Sequence, residues 1–301
     1  MVFDTLMKTL ISLFCILTFF LMACVPQQEV LTTNPYLVGE GRPWVLAHGG
    51  AKDLFPENTL VAFDGSMALE VDALEIDVCM TADEVLVTHH DLTIDATSDG
   101  VGEVISYTFD ELQDFNFGYD FTDLEGNQPY QDSPVRIPGL ETVFLRYDNV
   151  HFVVEIKNRG ENGKRAAELM YDLIRSTGVE GRVVVASFSQ EILNHFIEVS
   201  NGEIPISAAE EEVKDFVFSG LSGMEFLYGP EAVMFQIPRS SAGIPLDAKR
   251  LIKSAHRRRM AVQYWTIDDP EEMRRLIELG VDGLITDRPD LMWEVLRDMG
   301  Y

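Results

Sequence analysis

The sequence contains little cysteine, few basic residues and no apolar run long enough to span a membrane. Its 301 residues include 3 cysteines, which leaves no framework of disulfide bonds to interpret. Lysine and arginine number 23 against 50 acidic residues, so the formal net charge is −27. This balance argues against nucleic acid as a partner, because binding to a phosphate backbone needs a basic surface.

An apolar run near the N-terminus has the length of a secretory signal. It covers about 13 residues, from Leu10 to Met22, whereas a transmembrane helix needs about 20. It closes with the tetrapeptide Leu21-Met22-Ala23-Cys24, which resembles a bacterial lipobox. We therefore predict a lipoprotein signal peptide at residues 1–24, a lipid anchor at Cys24 and an extracytoplasmic, membrane-attached location. Ordinary cleavage near Ala23 with a free thiol is the alternative.

The rest of the chain divides into a polar segment and one large domain. Residues 25–42 carry proline, glutamine, asparagine and glycine without an apolar period, which indicates a tether. From Trp44 onward, short apolar runs alternate with longer amphipathic runs, which is typical of alternating strands and helices. Eight such strands predict a TIM-type (β/α)8 barrel over residues 43–301.

The predicted elements follow from this alternation. The eight strands are Trp44–Ala47, Ala73–Val78, His151–Ile156, Arg182–Ala186, Ile204–Ala208, Ala232–Ile237, Ala261–Thr266 and Gly283–Thr286. The helices include Thr59–Leu69, Gly163–Ser176, Gln190–Ser200, Ala209–Phe218, Pro245–Arg259, Pro270–Leu279 and Pro289–Met299. Val85–Thr88 follows Asp77 too closely for a helical crossover, so we expect it to fold back as a hairpin. An aromatic-rich insertion is predicted at about 95–148, between the second and third barrel strands.

Carboxylates stand at the predicted ends of two strands, where barrels of this type place their chemistry. Glu75 and Asp77 are two residues apart on a strand, so both face the same side. Glu155 ends the next barrel strand and is followed by Lys157. Three carboxylates suit a hard cation such as Ca²⁺ or Mg²⁺. An ion pair of the carboxylates with Lys157 is the purely structural alternative.

Two histidines belong to the same region. His48 follows the first strand, and His90 follows the predicted hairpin strand. One imidazole can act as a base and another as an acid in the same reaction. Beside a divalent cation, this pair fits attack on a phosphodiester. A lone histidine is more often structural, and Cys79 is interpreted as a core residue because thiolates bind hard cations poorly.

These residues lie in an ordered series of short motifs. The series is His48-Gly49-Gly50, Pro56-Glu57-Asn58-Thr59, Glu75-Ile76-Asp77, His90-Asp91, Glu155-Ile156-Lys157, Ser187-Phe188, Trp265-Thr266 and Thr286-Asp287-Arg288-Pro289-Asp290. Taken together, the motifs resemble the glycerophosphodiester phosphodiesterase family from about Trp44 to Asp290. The sequence departs from the family pattern at Gly49, where the family usually has arginine.

The resemblance implies a metal-dependent hydrolase that releases glycerol 3-phosphate and an alcohol from glycerophosphodiesters. The implied roles are base for His48, acid for His90, cation binding for Glu75, Asp77 and Glu155, substrate binding for Lys157, Trp265 and Gly49, and support of the site for Glu57. In the implied mechanism, the glycerol hydroxyl attacks phosphorus and water then opens the cyclic phosphate. Without the arginine, phosphate binding falls to Lys157, the cation, Lys52 or the Gly49–Gly50 amides.

Two functional alternatives stay open. A lysophospholipase D-like hydrolase of monoacyl lipids is favoured by the predicted lipid anchor and the aromatic insertion. A lipoprotein that binds phosphodiesters without hydrolysing them is favoured by Gly49 alone, because it lacks the arginine side chain expected to bind phosphate. We expect Gly49 to weaken phosphate binding or to change the preferred substrate shape, and not to abolish the chemistry.

Overall fold

The structure, a computed structural model, describes residues 34–39, 41–222, 229 and 231–301. The predicted signal peptide, the predicted anchor at Cys24 and most of the predicted tether lie outside the described residues. Pro35–Tyr301 forms one compact unit. Within the described part of the chain, none of the helices is long and apolar enough to cross a membrane.

The core of the fold is a curled, mainly parallel sheet. Its strands run in the order β5-β4-β2-β1-β10-β9-β6, and β3 pairs antiparallel with β2. The strands are β1 (Trp44–Ala47), β2 (Ala73–Met80), β3 (Leu86–Thr88), β4 (His151–Ile156), β5 (Val183–Ala186), β6 (Met234–Ile237), β7 (Ser240–Ser241), β8 (Ile244–Pro245), β9 (Ala261–Tyr264) and β10 (Gly283–Thr286). The predicted TIM-type barrel and the predicted hairpin are therefore confirmed.

The segment predicted as the fifth barrel strand closes the ring without forming an extended strand. Ile206 bridges to Val185 of β5, and Ser207 bridges to Met234 of β6. Pro205 accepts a hydrogen bond from Val185 but has no N–H of its own to donate. Prediction of a full strand over Ile204–Ala208 was therefore wrong in extent, although the segment occupies the predicted place.

Helices cover the outside of the barrel. They are α1 (Leu60–Ala68), α2 (Phe109–Leu112), α3 (Leu140–Arg146), α4 (Gly160–Thr177), α5 (Gln190–Ser200), α6 (Glu210–Ser222), α7 (Lys249–Arg257), α8 (Pro270–Leu279) and α9 (Pro289–Met299). The helix predicted from Pro245 begins four residues later, because Pro245 pairs with Ser240 in the β7–β8 hairpin.

Alternation along β2 explains why carboxylates face the barrel interior. Leu74, Ile76 and Val78 belong to the large apolar cluster that the sheet shares with the helices. Successive side chains of a strand point to opposite faces, so Glu75 and Asp77 point inward. The sequence thus places two acids in the barrel, on a strand that is buried along its whole length.

The chain between β3 and α3 forms a second, smaller apolar core against the hairpin. Cys79 and Val87 of the hairpin pack there with Leu112, Phe117 and Ile137. Burial raises the pKa of the Cys79 thiol to about 12, which fits the predicted core role. The predicted bounds of an insertion at about 95–148 stay a prediction.

The described part of the predicted tether packs onto the end of the barrel where the parallel strands begin. Tyr36 is buried against Trp44 and His151. The Val38 amide donates to Asp282, and Arg42 binds Asp72 through two hydrogen bonds. These contacts explain why the compact unit begins at Pro35, upstream of the predicted domain start at residue 43.

Candidate active site

Three carboxylates converge at the carboxyl ends of β2 and β4. Asp77 lies beside Glu155 in the parallel register of the two strands, and Glu75 lies one inward-facing position earlier. Each of the three offers an oxygen that lies within 4.8 Å of the other two. Glu75 and Asp77 are buried and Glu155 is nearly so. The structure therefore brings together all three residues predicted to bind a cation.

The Lys157 ammonium partly neutralises this carboxylate cluster. Its Nζ lies 2.8 Å from Asp77 Oδ1 and 3.0 Å from Glu155 Oε2. Burial disfavours the ammonium, but the charges of these two carboxylates outweigh burial and raise the pKa of Lys157 above its usual range. The sequence left two roles open for Lys157, substrate binding and an ion pair with the carboxylates. Its position fits both, because Lys157 lines the cavity and is also paired with Asp77 and Glu155.

Glu75 is the least compensated member of the cluster. Its Oε2 accepts a hydrogen bond of 3.0 Å from the Gly49 amide. Burial and the charge of Asp77 nevertheless raise the pKa of Glu75 to about 8. The Gly49 amide, predicted to contact substrate, therefore has Glu75 as its partner. Gly49 itself adopts φ 52°, a left-handed conformation that favours glycine.

Asn58 holds Asp77 from the other side. Its Nδ2 donates to Asp77 Oδ2 at 2.9 Å, and its Oδ1 accepts from the Asp77 amide at 3.1 Å. Burial raises the pKa of Asp77, but the Lys157 charge and the hydrogen bonds outweigh it and lower the pKa below the usual value. Asp77 is therefore ionised and fixed in orientation.

His48 is oriented by a carboxylate from the last strand. Its Nδ1 lies 2.6 Å from Asp287 Oδ1, because β1 and β10 are neighbours and Ala47 pairs with Thr286. Burial opposes protonation of His48, but the Asp287 hydrogen bond and the Glu75 charge outweigh it and raise the pKa to about 9. With Nδ1 engaged by Asp287, Nε2 is the nitrogen left to exchange a proton in the cavity.

His90 lies at the more exposed side of the same cavity. Its Nδ1 lies 2.8 Å from Asp91 Oδ1, which gives it a second histidine–carboxylate pair. The neighbouring His89 is buried and hydrogen-bonds the Asp91 carbonyl and Thr97 Oγ1. The structure therefore places His90 in the cavity lining and His89 in the interior, and the catalytic role of His90 stays a prediction.

Glu57 and Lys52 lie beside the two histidines. Burial raises the pKa of the Glu57 carboxyl, and the charges of Lys52, His90 and His48 oppose that shift. Lys52 Nζ is 3.8 Å from Asp287 Oδ2. Neither residue borders the cavity directly, so Glu57 keeps the supporting position that the motif suggested.

The histidines and carboxylates open into a cavity of about 770 Å³. One end is polar and contains His48, His90, Lys157 and the three carboxylates. The rest of the lining is mainly apolar, and we call it the apolar wing: Ala208, Val213, Val217, Phe218, Ile237, Pro238, Ala242, Ile244, Leu246, Phe188 and Trp265. Trp265 contacts Phe188 edge to face at 5.9 Å between ring centres. Trp265 and Phe188 therefore pack against each other within the cavity lining.

The carboxylate cluster fits a hard divalent cation. Its donors are all carboxylate oxygens, which Ca²⁺ and Mg²⁺ prefer. The Lys157 ammonium pairs with Asp77 and Glu155, whereas burial, followed by the charge of Asp77, raises the pKa of Glu75. A bound cation supplies the missing positive charge, so burial of these acids is explained by metal binding better than by Lys157 alone.

Several residues of the site have no role in the sequence-based prediction. Asp287 and Asn58 belong to two of the short motifs, but the motifs do not show what they contact. Asp287 contacts His48, which is 239 residues away in the sequence, and Asn58 contacts Asp77, which is 19 residues away. Closure of the predicted barrel places strand one beside strand eight, which is the signal that could have paired His48 with Asp287. Val213, Val217 and Phe218 of the apolar wing come from α6, and Ala242 and Ile244 come from the β7–β8 hairpin; the sequence offered no functional pattern for either element.

Comparison with known proteins assigns these motifs to a family. The sequence profile of the glycerophosphoryl diester phosphodiesterase family matches residues 48–291. A glycerophosphodiester phosphodiesterase of Caldanaerobacter subterraneus subsp. tengcongensis is 30% identical over 264 residues, which cover 85% of this chain and 98% of that protein.

Solved structures show the same fold. A putative glycerophosphoryl diester phosphodiesterase of Silicibacter pomeroyi superposes with a TM-score of 0.73 at 25% identity, covering 88% of this chain and 96% of that one. A phosphodiesterase of Oleispira antarctica, solved in complex with the product sn-glycerol-3-phosphate, gives 0.70 at 18% identity, covering 85% and 97%.

Proposed function

Because the chain belongs to the glycerophosphoryl diester phosphodiesterase family, we propose that it hydrolyses glycerophosphodiesters to glycerol 3-phosphate and an alcohol with a divalent cation, Ca²⁺ or Mg²⁺. One observation supports the proposal most directly. Two histidines, each paired with a carboxylate, line the same cavity as three carboxylates able to bind a cation. That set supplies a base, an acid and a metal site within one pocket.

In the proposed mechanism, His48 is the base and His90 the acid. Glu75, Asp77 and Glu155 hold the cation, which supplies charge stabilisation at the phosphate. His48 Nε2 takes the proton of a glycerol hydroxyl, whose oxygen attacks phosphorus and forms a cyclic phosphate. His90 donates a proton to the departing alcohol oxygen. Water then opens the ring with the two proton transfers reversed.

The Asp287 contact supports this assignment of His48. Asp287 accepts a hydrogen bond from the Nδ1–H of His48, which leaves Nε2 as the nitrogen that accepts a proton, as a base requires. The charge of Glu75 helps to raise the pKa of His48 to about 9. A cation on Glu75 neutralises that charge and so favours the neutral imidazole.

Product analysis tests the proposal. Residues 25–301 are incubated with glycerophosphocholine and Ca²⁺, Mg²⁺ or a chelator, and glycerol 3-phosphate and choline are quantified. We expect both products with a cation and none with the chelator. His48→Gln and His90→Gln are expected to lower turnover by at least about 100-fold, in line with the usual weight of acid–base catalysis. His195→Gln is the matched control, because His195 pairs with Glu168 on the helices outside the barrel.

The same experiment separates hydrolysis from binding. If glycerophosphocholine binds but no product forms with either cation, the chain is a phosphodiester-binding protein and the mechanism is wrong. If both histidine variants keep full activity, the reaction does not use these imidazoles.

A second candidate substrate is a monoacyl glycerophosphodiester, cleaved in the manner of a lysophospholipase D. The apolar wing favours it, because Val213, Val217 and Phe218 of α6 face the cavity together with Ile244 of the hairpin. A glycerophosphodiester without an acyl chain has nothing to bury against this wall. Each methylene transferred from water to such a surface contributes about 0.8 kcal/mol.

Chain length provides the test of the second candidate. Lysophosphatidylcholines with four to eight acyl carbons, used below their micelle concentrations, are compared with glycerophosphocholine. If the wing binds the chain, kcat/KM rises by up to about fourfold per methylene, which corresponds to about 0.8 kcal/mol. Phe218→Gln is expected to weaken this dependence. Leu145→Gln is the control, because Leu145 is equally exposed (65% against 66%) but lies outside the cavity lining. A flat dependence on chain length rules out an acyl site in the wing.

We also propose that the mature protein is attached to a membrane through a lipid on Cys24. The lipobox-like tetrapeptide supports this proposal. Expression of the full chain in a bacterial host with labelled palmitate is expected to label the wild type and not Cys24→Ala. Equal labelling of both proteins would contradict the anchor.

A further inference from the structure

A phosphodiester is an anion, yet the lysines that line the described cavity are already paired with carboxylates. Lys157 contacts Asp77 and Glu155 within 3.0 Å, and Lys214 contacts Glu210 at 2.9 Å. The protein also carries a net charge of −27. A less engaged positive side chain near the histidines would therefore add to the attraction that a divalent cation on the carboxylates exerts on the phosphate.

Lys52 has the position and the freedom for this role. Its amide donates to the His48 carbonyl, so it lies one turn beyond His48 on the same loop. Its Nζ is 3.8 Å from Asp287 Oδ2, while the other oxygen of Asp287 contacts His48. Within the described residues, no carboxylate oxygen lies closer to this ammonium. The Lys52 side chain is 37% exposed and lies outside the described cavity lining, so its ammonium must extend past Asp287 toward the cavity to contact a substrate oxygen.

Neighbouring groups on this side of the site do not offer an alternative cation. Gly49 has no side chain, and its amide is bonded to Glu75. The Arg288 guanidinium is held by two hydrogen bonds to Asp290. Of the four positively charged side chains Lys52, Lys157, Lys214 and Arg288, Lys52 has the longest contact with a carboxylate.

We propose that Lys52 binds a non-bridging oxygen of the phosphodiester beside His48. The proposal rests on the proposed function for its substrate, a glycerophosphodiester. Lysine binds as a point charge, whereas an arginine would give a bidentate contact. The interaction is therefore expected to depend on the charge of the phosphate more than on its orientation.

The experiment compares how strongly the product and the substrate, which differ in charge, bind to each Lys52 variant. The product glycerol 3-phosphate is close to a dianion at pH 8, and the diester substrate is a monoanion. Removing the Lys52 charge should therefore weaken product binding more than substrate binding. We expect Lys52→Met to raise the inhibition constant of glycerol 3-phosphate by up to about fivefold and KM for glycerophosphocholine by less, because one exposed charge contact contributes at most about 1 kcal/mol. Lys52→Arg is expected to stay within about threefold of the wild type.

The matched control is Lys164→Met. Lys164 pairs with Glu161 and Glu191 on the outer helices, and its loss changes the net charge by the same amount. Equal effects of Lys52→Met and Lys164→Met on product inhibition overturn the proposal. So does a result in which Lys52→Met lowers kcat and shifts its pH profile but leaves product inhibition unchanged, because Lys52 then acts only by positioning Asp287.

Failure of the proposed function is distinguishable from failure of this inference. If the wild type does not hydrolyse glycerophosphocholine, binding of inorganic phosphate to both lysine variants is measured by calorimetry with Mg²⁺ present. Weaker binding in Lys52→Met alone supports the phosphate contact even then. Unchanged binding in Lys52→Met overturns it.

Discussion

Cation binding should be coupled to release of the Glu75 proton. In the metal-free protein, burial and the Asp77 charge raise the pKa of Glu75 from 4.5 to about 8. A cation needs the ionised carboxylate, so its apparent affinity falls as pH drops below 8. Ionisation is about one half at pH 8 and about one hundredth at pH 6, so the dissociation constant should rise by between about one and two orders of magnitude.

The same raised pKa of Glu75 determines the direction in which the free energy of unfolding changes with pH. The folded, metal-free protein holds the Glu75 proton to about pH 8, whereas the unfolded chain loses it near 4.5. This contribution to the free energy of unfolding is therefore fully present below pH 4.5 and is lost as pH rises through about 8. His48 adds a contribution of the same sign between 6.5 and about 9. A cation should raise the melting temperature more at pH 8 than at pH 6.

Calorimetric titration of the chelator-treated protein with Mg²⁺ or Ca²⁺ measures the coupling. Titrations at pH 6 and pH 8, each in two buffers of different ionisation enthalpy, give the affinity and the number of protons released. Glu75→Gln should bind more weakly and lose most of the pH dependence. Glu161→Gln is the control, because Glu161 is 89% exposed on the outer surface. An affinity that does not change between pH 6 and pH 8 would refute the reasoning.

Three further substitutions test the contacts that orient the site. Asp287→Asn should lower kcat by at least about 100-fold with little change in KM, because His48 loses the carboxylate that fixes its tautomer. Steady-state kinetics measures both constants. Asn58→Ala should weaken cation binding by about 10–100-fold, because Asp77 loses its amide partner, and an unchanged calorimetric affinity would contradict this. Gly49→Ala should cost about 1–3 kcal/mol in urea unfolding, because φ is 52° there and the added Cβ would lie 3.3 Å from the Cβ of Glu57.

The alternation of apolar and acidic residues along the predicted strands was the most informative pattern in the sequence. Apolar residues at 74, 76 and 78 require the acids between them to face the other side of the strand, and the structure shows this arrangement. The same reasoning places Glu155 beside Asp77, because parallel neighbouring strands end together. The fold and the carboxylate cluster were therefore accessible from local pattern and the family motifs.

Other features depend on packing that a sequence does not display. Pro205 shortens the fifth barrel strand, although its apolar neighbours have the composition of a strand. Pro245 was expected to begin a helix, a position that proline favours, but it pairs with Ser240 in a short hairpin. The apolar wing also escaped prediction, because apolar residues of α6 have the same spacing whether they face a core or a cavity.

The charge distribution of the site explains why a cation should matter for binding as well as for turnover. Lys157 is bonded to the acids that surround it, so most of its charge is already balanced. Lys52 offers one further positive charge, close to His48 but outside the cavity lining and partly screened by solvent. A divalent cation on the carboxylates therefore provides the largest net positive charge that the phosphate meets. Removal of the metal should consequently raise the dissociation constant of glycerol 3-phosphate even in His48→Gln and His90→Gln, whose turnover is strongly reduced.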